Sequence, residues 1–499
     1  MTENKNSNNR IVKNTIYNLL GFFFPVIAAL VFIPTLLEKL GDEKFGLLNI
    51  IWIVVGYFSL FDFGVGRTLT KVISEKLSHQ KSNEIPEIFW TSFYLILAFS
   101  IVGSIILFLL TPILVDNVLG LTDSIKQESK ISFYIMAVSI PVITTTAAFR
   151  GFLEAYQNFK IINILRILWG VSTFLVPIIV LLYTNYLTYI VLSLVFLRLI
   201  MWLLHLFICI KTESKLKVFN NINKNAIKPI FILSGWITVT NIIAPLIVYV
   251  DRFLIGALIS AAAITYFATP FEIVSKLLLI PSAIVGVLYP VIAYNYRLDF
   301  ELVSRIFFKG VKYIFIMVFP IIALIVVFAK AGLSLWVGAR IADHSWFVLQ
   351  LLAFGIFFNS LAQIPFTYLQ AIGKPNVTGK LHMIELPFYF IAMWFSIKIF
   401  GINGAAVIWL IRSFIDCLLL FILSKEIFLR GLSMPTKPQI TYLFLMFFSV
   451  AILVIVPLNI KIFLGILFLI FYLIITWATI LNHEEKSFLL SLIKISLNK

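Results

Sequence analysis

The chain has 499 residues, of which 61% are hydrophobic and only 12% charged, and its mean hydropathy is +1.03. A soluble domain carries roughly 45–50% apolar and about 25% charged residues, so this composition excludes one and requires a protein built into a bilayer. The formal net charge of +16 excludes little by itself, but no basic, aromatic-interleaved soluble segment accompanies it, so it is read as loops facing anionic lipid and not as a nucleic-acid surface.

Apolar runs repeatedly reach the roughly 20 residues that cross a hydrocarbon core of about 30 Å, where barrel strands would read as alternating segments of about ten. An all-α membrane protein with fourteen spans is expected. In chain order they cover 14–37, 45–66, 88–115, 131–149, 161–183, 186–210, 229–250, 262–294, 311–329, 346–371, 383–400, 401–424, 440–457 and 462–481. The run 262–294 is too long for one simple crossing and contains Pro270, Pro281 and Pro290, so it reads as one bent helix or two pieces. The polar, basic start MTENKNSNNRIVKN is followed by a run too long for a signal peptide, and the first span is expected to be retained.

Lys and Arg crowd alternate connections. With the amino terminus inside, inside segments hold 27 of the 39 basic residues, outside connections hold nine, and Arg198, Lys276 and Arg412 lie within spans. That bias places both termini in the cytoplasm. The basic segment 211–228 divides the chain into an amino-terminal lobe, 1–210, and a second lobe, 229–424, followed by two additional helices and a tail, 425–499. The fragments YNLLGFFFP (17–25) and TNIIAP (240–245) open corresponding spans of the two halves, a faint internal symmetry. Two pseudo-symmetric six-helix lobes around a central cavity form an alternating-access architecture.

Cys209 and Cys417 lie in apolar spans without metal spacing, the five His are scattered, and no phosphate-cradling glycine motif is present, so no metal, cofactor or nucleotide site is expected. The longest outside connections, 115–130 and 330–345, leave no room for an external catalytic domain, and an enzyme is not expected. Function must then lie among the helices. A charge at mid-bilayer costs about 2.5–3.5 kcal/mol on insertion scales, and such residues normally face a partner or a watery path. Glu272 and Lys276 are four apart and share a helical face, as are Arg412 and Asp416. Arg150 and Glu154 repeat the spacing at a cytoplasmic end, and Arg198 stands mid-span with no acid near it in sequence. Facing one another, these helices would enclose three cations, Arg198, Lys276 and Arg412, against two anions, an interior suited to an anionic substrate. The alternative for each pair is mutual neutralisation between helices.

Five stretches carry a family resemblance: GDEKFGLLNI (41–50), FSLFDFGVGRTLTKVISEKL (58–77), RGFLEAYQNFKIINILRI (150–167), YLQAIGKPNVTGKLHMIELPFYF (368–390) and GINGAAVIWLIRSFID (401–416). Together they resemble bacterial polysaccharide-biosynthesis flippases, the O-antigen repeat-unit translocases of the multidrug/oligosaccharidyl-lipid/polysaccharide exporter superfamily. The resemblance implies a two-lobed transporter in the bacterial inner membrane that moves an undecaprenyl-diphosphate-linked oligosaccharide from the inner to the outer leaflet. It also implies a polysaccharide polymerase and a chain-length regulator as partners.

On that reading Arg198, Lys276 and Arg412 meet the diphosphate, since Arg can bind phosphate oxygens in a bidentate way. Glu272 and Asp416 hold the cations when the site is empty or carry H+ or Na+. Asp62 is a gate, coupling or capping residue, and Glu385 resembles a recurrent family feature, with helix-start stabilisation as its alternative. Arg150 and Glu154 form a pair at the cytoplasmic entrance. A peptidoglycan-precursor flippase, a drug or metabolite exporter of the same superfamily, and a membrane glycan polymerase remain as alternatives.

Overall fold

The computed structural model describes residues 2–60, 65–78, 82–218, 249–296, 298–424, 458–481, 483 and 485–487. Its regular elements are all helical: α1 (Thr2–Leu60), α2 (Val65–Ser78), α3 (Ile85–Ile113), α4 (Asp123–Ala155), α5 (Phe159–Val180), α6 (Leu187–Thr212), α7 (249–258), α8 (Ala261–Ser275), α9 (Leu279–Asn295), α10 (Phe300–Val327), α11 (Ala329–Val337), α12 (Ala339–Ala371), α13 (Pro375–Leu423) and α14 (Leu458–Ile475), with short helical turns between several of them. Helix is the form that apolar runs must take here, because only a helix satisfies each backbone amide within its own segment when no water is available.

Among the described residues, ten helical stretches are long and apolar enough to cross a membrane. Two of them hold two expected spans each. At about 1.5 Å per residue, the 59 residues of α1 would run roughly 90 Å as one rod, about three times the hydrocarbon thickness. The run is broken at Gly41, whose φ of 73° and ψ of 172° no ordinary side chain tolerates. Gly401 does the same in α13, at φ 62° and ψ −144°. The arms on either side of these glycines match the spans expected at 14–37 and 45–66 and at 383–400 and 401–424. Twelve of the fourteen expected spans thus fall on described helices. The span 440–457, and all but the last two residues of 229–250, lie outside the described residues, as does the fragment TNIIAP.

The long run 262–294 resolves as α8 and α9 joined by a 3-10 turn, Lys276–Leu278, with right-handed helical backbone on both sides. Proline explains the joint. Pro281 has no amide proton to give the carbonyl of Leu277, and the backbone tightens at this turn, where the Leu279 amide bonds back to Leu277 and Lys276. The connection 330–345 is itself helical, α11 running into α12 through Gly338 at φ 88°.

Contacts group the chain into two units, 1–268 with 382–405, and 269–381 with 406–499. In the first unit an aromatic core of Phe89, Trp90, Phe93, Phe149 and Phe152 joins α3 to α4, with Ile73 of α2 and Cys209 of α6 at its edges. Gly151 permits α2 to lie directly on α4: a Cβ there would overlap the Gly66 carbonyl oxygen. The Thr70 hydroxyl sits where it can donate to the carbonyls of Gly66 and Gly151, at 3.1 and 3.0 Å. Gly151→Val must push the two backbones apart. It is expected to destabilise the protein by about 1–3 kcal/mol, the usual cost of overpacking, measured as a lower melting temperature in detergent with Thr70→Val as the milder control.

In the second unit α10 packs on α9 and α12 through Gly310, against Leu288 and Ile364. Trp409 of α13 lies against Gly355 of α12 and meets Phe271 of α8 edge-on at 5.6 Å. The far end of the chain is tied to α10 by charge: Lys312 Nζ lies 2.6 and 2.7 Å from the two Glu485 carboxylate oxygens, and the Tyr313 hydroxyl donates to Glu485 Oε1 at 2.7 Å. Glu485→Ala leaves a half-buried ammonium and a phenol without their acceptor. A loss of about 1–3 kcal/mol is expected, with Lys312→Ala in the same background restoring part of it, read as melting temperature.

Candidate functional site

Glu272 closes the third turn of α8, and Lys276 opens the 3-10 turn that follows. Their ion pair is short, Nζ to Oε2 2.9 Å, and both side chains are about one-third exposed, at 29% and 34%. Pro270 and Pro281 bracket the pair, so the backbone beside it is the least regular part of the run. Arg412 and Asp416 lie one turn apart on the second arm of α13, the arginine half-buried and the aspartate buried. Between them Ser413 is anchored by donating to the Trp409 carbonyl at 2.9 Å. These four residues belong to the second unit.

Arg198, Arg150 and Glu154 belong to the first unit, as does Glu385. Arg198 is half-buried on α6, its guanidinium 4.2 Å from the centre of the Trp169 ring on α5, and its buried Nε makes no hydrogen bond among the described residues. Arg150 Nε and Glu154 Oε1 are 3.8 Å apart at the end of α4, a loose pair with both side chains partly open. Glu385 lies well inside α13, past the first turn, half-buried, so helix-start stabilisation is not its setting. Asp62 lies outside the described residues.

The three expected substrate cations are therefore divided, Arg198 in one unit and Lys276 with Arg412 in the other. Two features of the first unit had escaped the sequence reading. Arg166 and Trp169 lie one turn apart on α5, on the face that Asn163 begins, and Arg166 Nη1 donates to Asn163 Oδ1 at 2.8 Å. The spacing of Asn163, Arg166 and Trp169 is the available signal, and it is obscured because Arg166 also counts among the basic residues of a connection read as cytoplasmic.

The second feature is a set of polar bonds around Gly41. Tyr266 donates its hydroxyl to Asp42 Oδ2 and Thr265 donates to the Asp42 carbonyl, each at 2.6 Å. Glu43 accepts from the Thr122 amide at 2.8 Å, and Lys44 pairs with Glu128 at 3.0 Å while Glu128 also caps the Leu187 amide. These bonds fasten the first reversal of the chain to the start of α4 and to α8, and Glu128 in turn ties α4 to α6. At the opposite end of α4, Tyr156 donates to Glu213 at 3.3 Å; burial and that carboxylate push its phenol up to about 12, so it remains a donor at any physiological pH.

A family model described as polysaccharide biosynthesis protein matches residues 11–295, more than half of the chain. The chain belongs to the polysaccharide biosynthesis protein family. A Shigella flexneri member named "Putative O-antigen transporter" is 30% identical over 410 residues, covering 82% of this chain and 96% of that one. Among solved structures, the lipid II flippase MurJ in an inward closed conformation is similar in fold, with a TM-score of 0.70 at 15% identity, covering 94% of this chain and 100% of that one. An inward-facing multidrug resistance MATE transporter of the MOP superfamily gives a TM-score of 0.67 at 12% identity, with 83% and 94% covered. The resemblance drawn from the sequence motifs is borne out, as is the fold class. The relatives are transporters, and this member is a multi-pass membrane transporter of the polysaccharide-biosynthesis type, not an enzyme.

Proposed function

We propose that this protein moves an undecaprenyl-diphosphate-linked oligosaccharide, an O-antigen or related repeat unit, from the inner to the outer leaflet of the bacterial cytoplasmic membrane. The observation that carries the reading is the Lys276–Glu272 pair: two opposite charges kept together, partly open, inside an apolar helical run that tightens into a 3-10 turn at the lysine. Such residues mark a path, because charge inside an apolar run is retained where it faces a partner or a watery cavity. The likeness to the Shigella relative over nearly its whole length supports the substrate class. Arg198, Lys276 and Arg412 provide cations for the diphosphate, and Glu272 and Asp416 balance them when it is absent.

The lobes 1–210 and 229–424 alternate access to the two leaflets, with both termini cytoplasmic and the Gly41 reversal outside. H+ or Na+ is carried on Glu272 or Asp416, and the product passes to a polymerase and a chain-length regulator. The test is movement of a diphosphate-linked oligosaccharide across proteoliposomes. Protein-dependent movement that slows when proton and sodium gradients are both collapsed is expected. Movement indifferent to both gradients removes the coupling, and no movement beyond that of empty vesicles removes the function.

A further inference from the structure

Two helices of the second unit meet where a proline leaves a gap. Pro320 lies inside α10, so the Ile316 carbonyl one turn earlier finds no amide proton four residues on. Tyr472 of α14 fills that place: its hydroxyl donates to the Ile316 carbonyl oxygen at 2.9 Å, and the side chain is only 2% exposed. Its ring lies against Phe319, with centres 6.0 Å apart, and Phe319 stacks on Phe315 at 5.1 Å. The first unit meets the same need in the same way. Pro141 frees the Ala137 carbonyl of α4, and the Ser104 hydroxyl of α3 donates to it at 2.7 Å. Away from water a freed carbonyl is costly, so a donor on a neighbouring helix is the expected remedy.

What separates the second unit's case is the reach of the contact. α14 carries no proline of its own, and it touches α10 on both sides of residue 320. Toward the amino-terminal part of α10 it presents Tyr472 to Ile316, and shortly beyond its end Glu485 pairs with Lys312 and accepts from Tyr313. Toward the far end of α10, Gly465 lets the Phe328 ring come so near that a Cβ would stand 3.1 Å from it. A straight rod fastened on both sides of a hinge is a splint. A backbone bond cannot let go without unwinding its helix, whereas a tyrosine hydroxyl can leave a carbonyl and return to it. The bend that proline permits in α10 is therefore governed from another helix.

We infer that α14 is a releasable splint on a hinge of α10: Tyr472 closes the Pro320 gap in the conformation described here, and α10 bends when that bond lets go. The inference does not depend on which molecule is moved. A bend of this kind changes the outline of the second unit at the end where α10 begins. The helix from Glu301 to Pro320 is roughly 28 Å long, so a bend of about 20° displaces Glu301 by roughly 10 Å. α14 then has a task of its own, setting how often the second unit changes shape.

The experiment reads that displacement in the full chain. Glu301 and Asn376 are exposed near the starts of α10 and α13, both within the second unit. Spin labels on Glu301→Cys and Asn376→Cys, with the two buried cysteines replaced as Cys209→Ala and Cys417→Ala, give their separation in nanodiscs by pulsed electron paramagnetic resonance. Tyr472→Phe keeps the ring and removes only the donor. It is expected to raise the population of a second, displaced separation about twofold to tenfold, the weight of one hydrogen bond. Pro320→Ala returns an amide to the Ile316 carbonyl. With it the displaced population is expected to vanish, and Tyr472→Phe added to it to have no further effect. Glu485→Gln, which loosens the splint at the Lys312 end, shifts the populations in the same direction as Tyr472→Phe by a smaller factor. An unchanged distribution in Tyr472→Phe, whatever its melting temperature, reduces the bond to the filling of a carbonyl and overturns the inference. A Tyr472→Phe effect of equal size with Pro320→Ala present overturns it as well, since the hydroxyl would then act away from the hinge.

Discussion

Lys276→Ala lowers translocation by at least about tenfold with the fold retained, and Arg412→Ala does the same, measured as movement of diphosphate-linked oligosaccharide in proteoliposomes at equal folded amounts. The physical basis is the loss of a fixed cation, whose charge-assisted bond to phosphate contributes about 1.5–3 kcal/mol. The Lys276 variant also leaves Glu272 without the ammonium 2.9 Å away. Its carboxylate then adds repulsion toward an anionic substrate. Glu272→Gln with Lys276→Ala removes that repulsion, so the double variant is expected to recover part of the activity while remaining below the intact protein. Unchanged movement in Lys276→Ala would reduce the pair to mutual neutralisation between helices.

Gly46→Leu abolishes translocation for a different reason. Any Cβ at this position overlaps the Ala261 carbonyl oxygen, and Thr265 stands beside it. The second arm of α1 and the start of α8 can meet only because residue 46 has no side chain. The Asp42 bonds to Thr265 and Tyr266 depend on that approach. A leucine there costs these two bonds in addition to about 1–3 kcal/mol of overpacking. On the orientation proposed above, it holds open the outward end of the first unit. Asp42→Cys, labelled with a membrane-impermeant maleimide in intact cells, provides the readout. Labelling is expected to rise several-fold in the Gly46→Leu background while translocation falls to the level of empty vesicles. Labelling and translocation both unchanged would show that this end need not close.

The helical class and most of the spans were legible because bilayer thickness and backbone hydrogen bonding leave a 20-residue apolar run few alternatives. The reversal points were legible too, as polar residues clustered around Gly41 and as the boundary at Gly401. What composition could not say was which of its two readings of 262–294 holds: the run stays helical, with a 3-10 turn at Lys276–Leu278, because Pro281 falls in the first turn of α9, where a missing amide proton is tolerated. Tertiary partners were less accessible. The bond from Tyr266 to Asp42 joins residues 224 apart, with no local signature in either segment. The motifs of the family resemblance divide between uses. Gly151 and Gly66 serve helix packing, while Arg150 and Arg166 in the same stretch present charge. A pattern of residue types cannot separate those uses, because the separation depends on which face of each helix is covered.

The reversals at Gly41 and Gly401 also bear on biogenesis. Each turns the chain with almost no intervening loop, so the two arms of α1, and likewise those of α13, leave the ribosome as one helical hairpin. A translocon partitions such a hairpin into lipid as a unit, and the insertion free energies of its arms add. The second arm of α13 carries Arg412 and Asp416, each disfavoured at mid-bilayer on its own. The many Leu, Ile and Phe residues of the two arms together offset that penalty at the moment of entry. A transporter can keep charges in its interior because they enter the membrane as a small part of a long apolar hairpin.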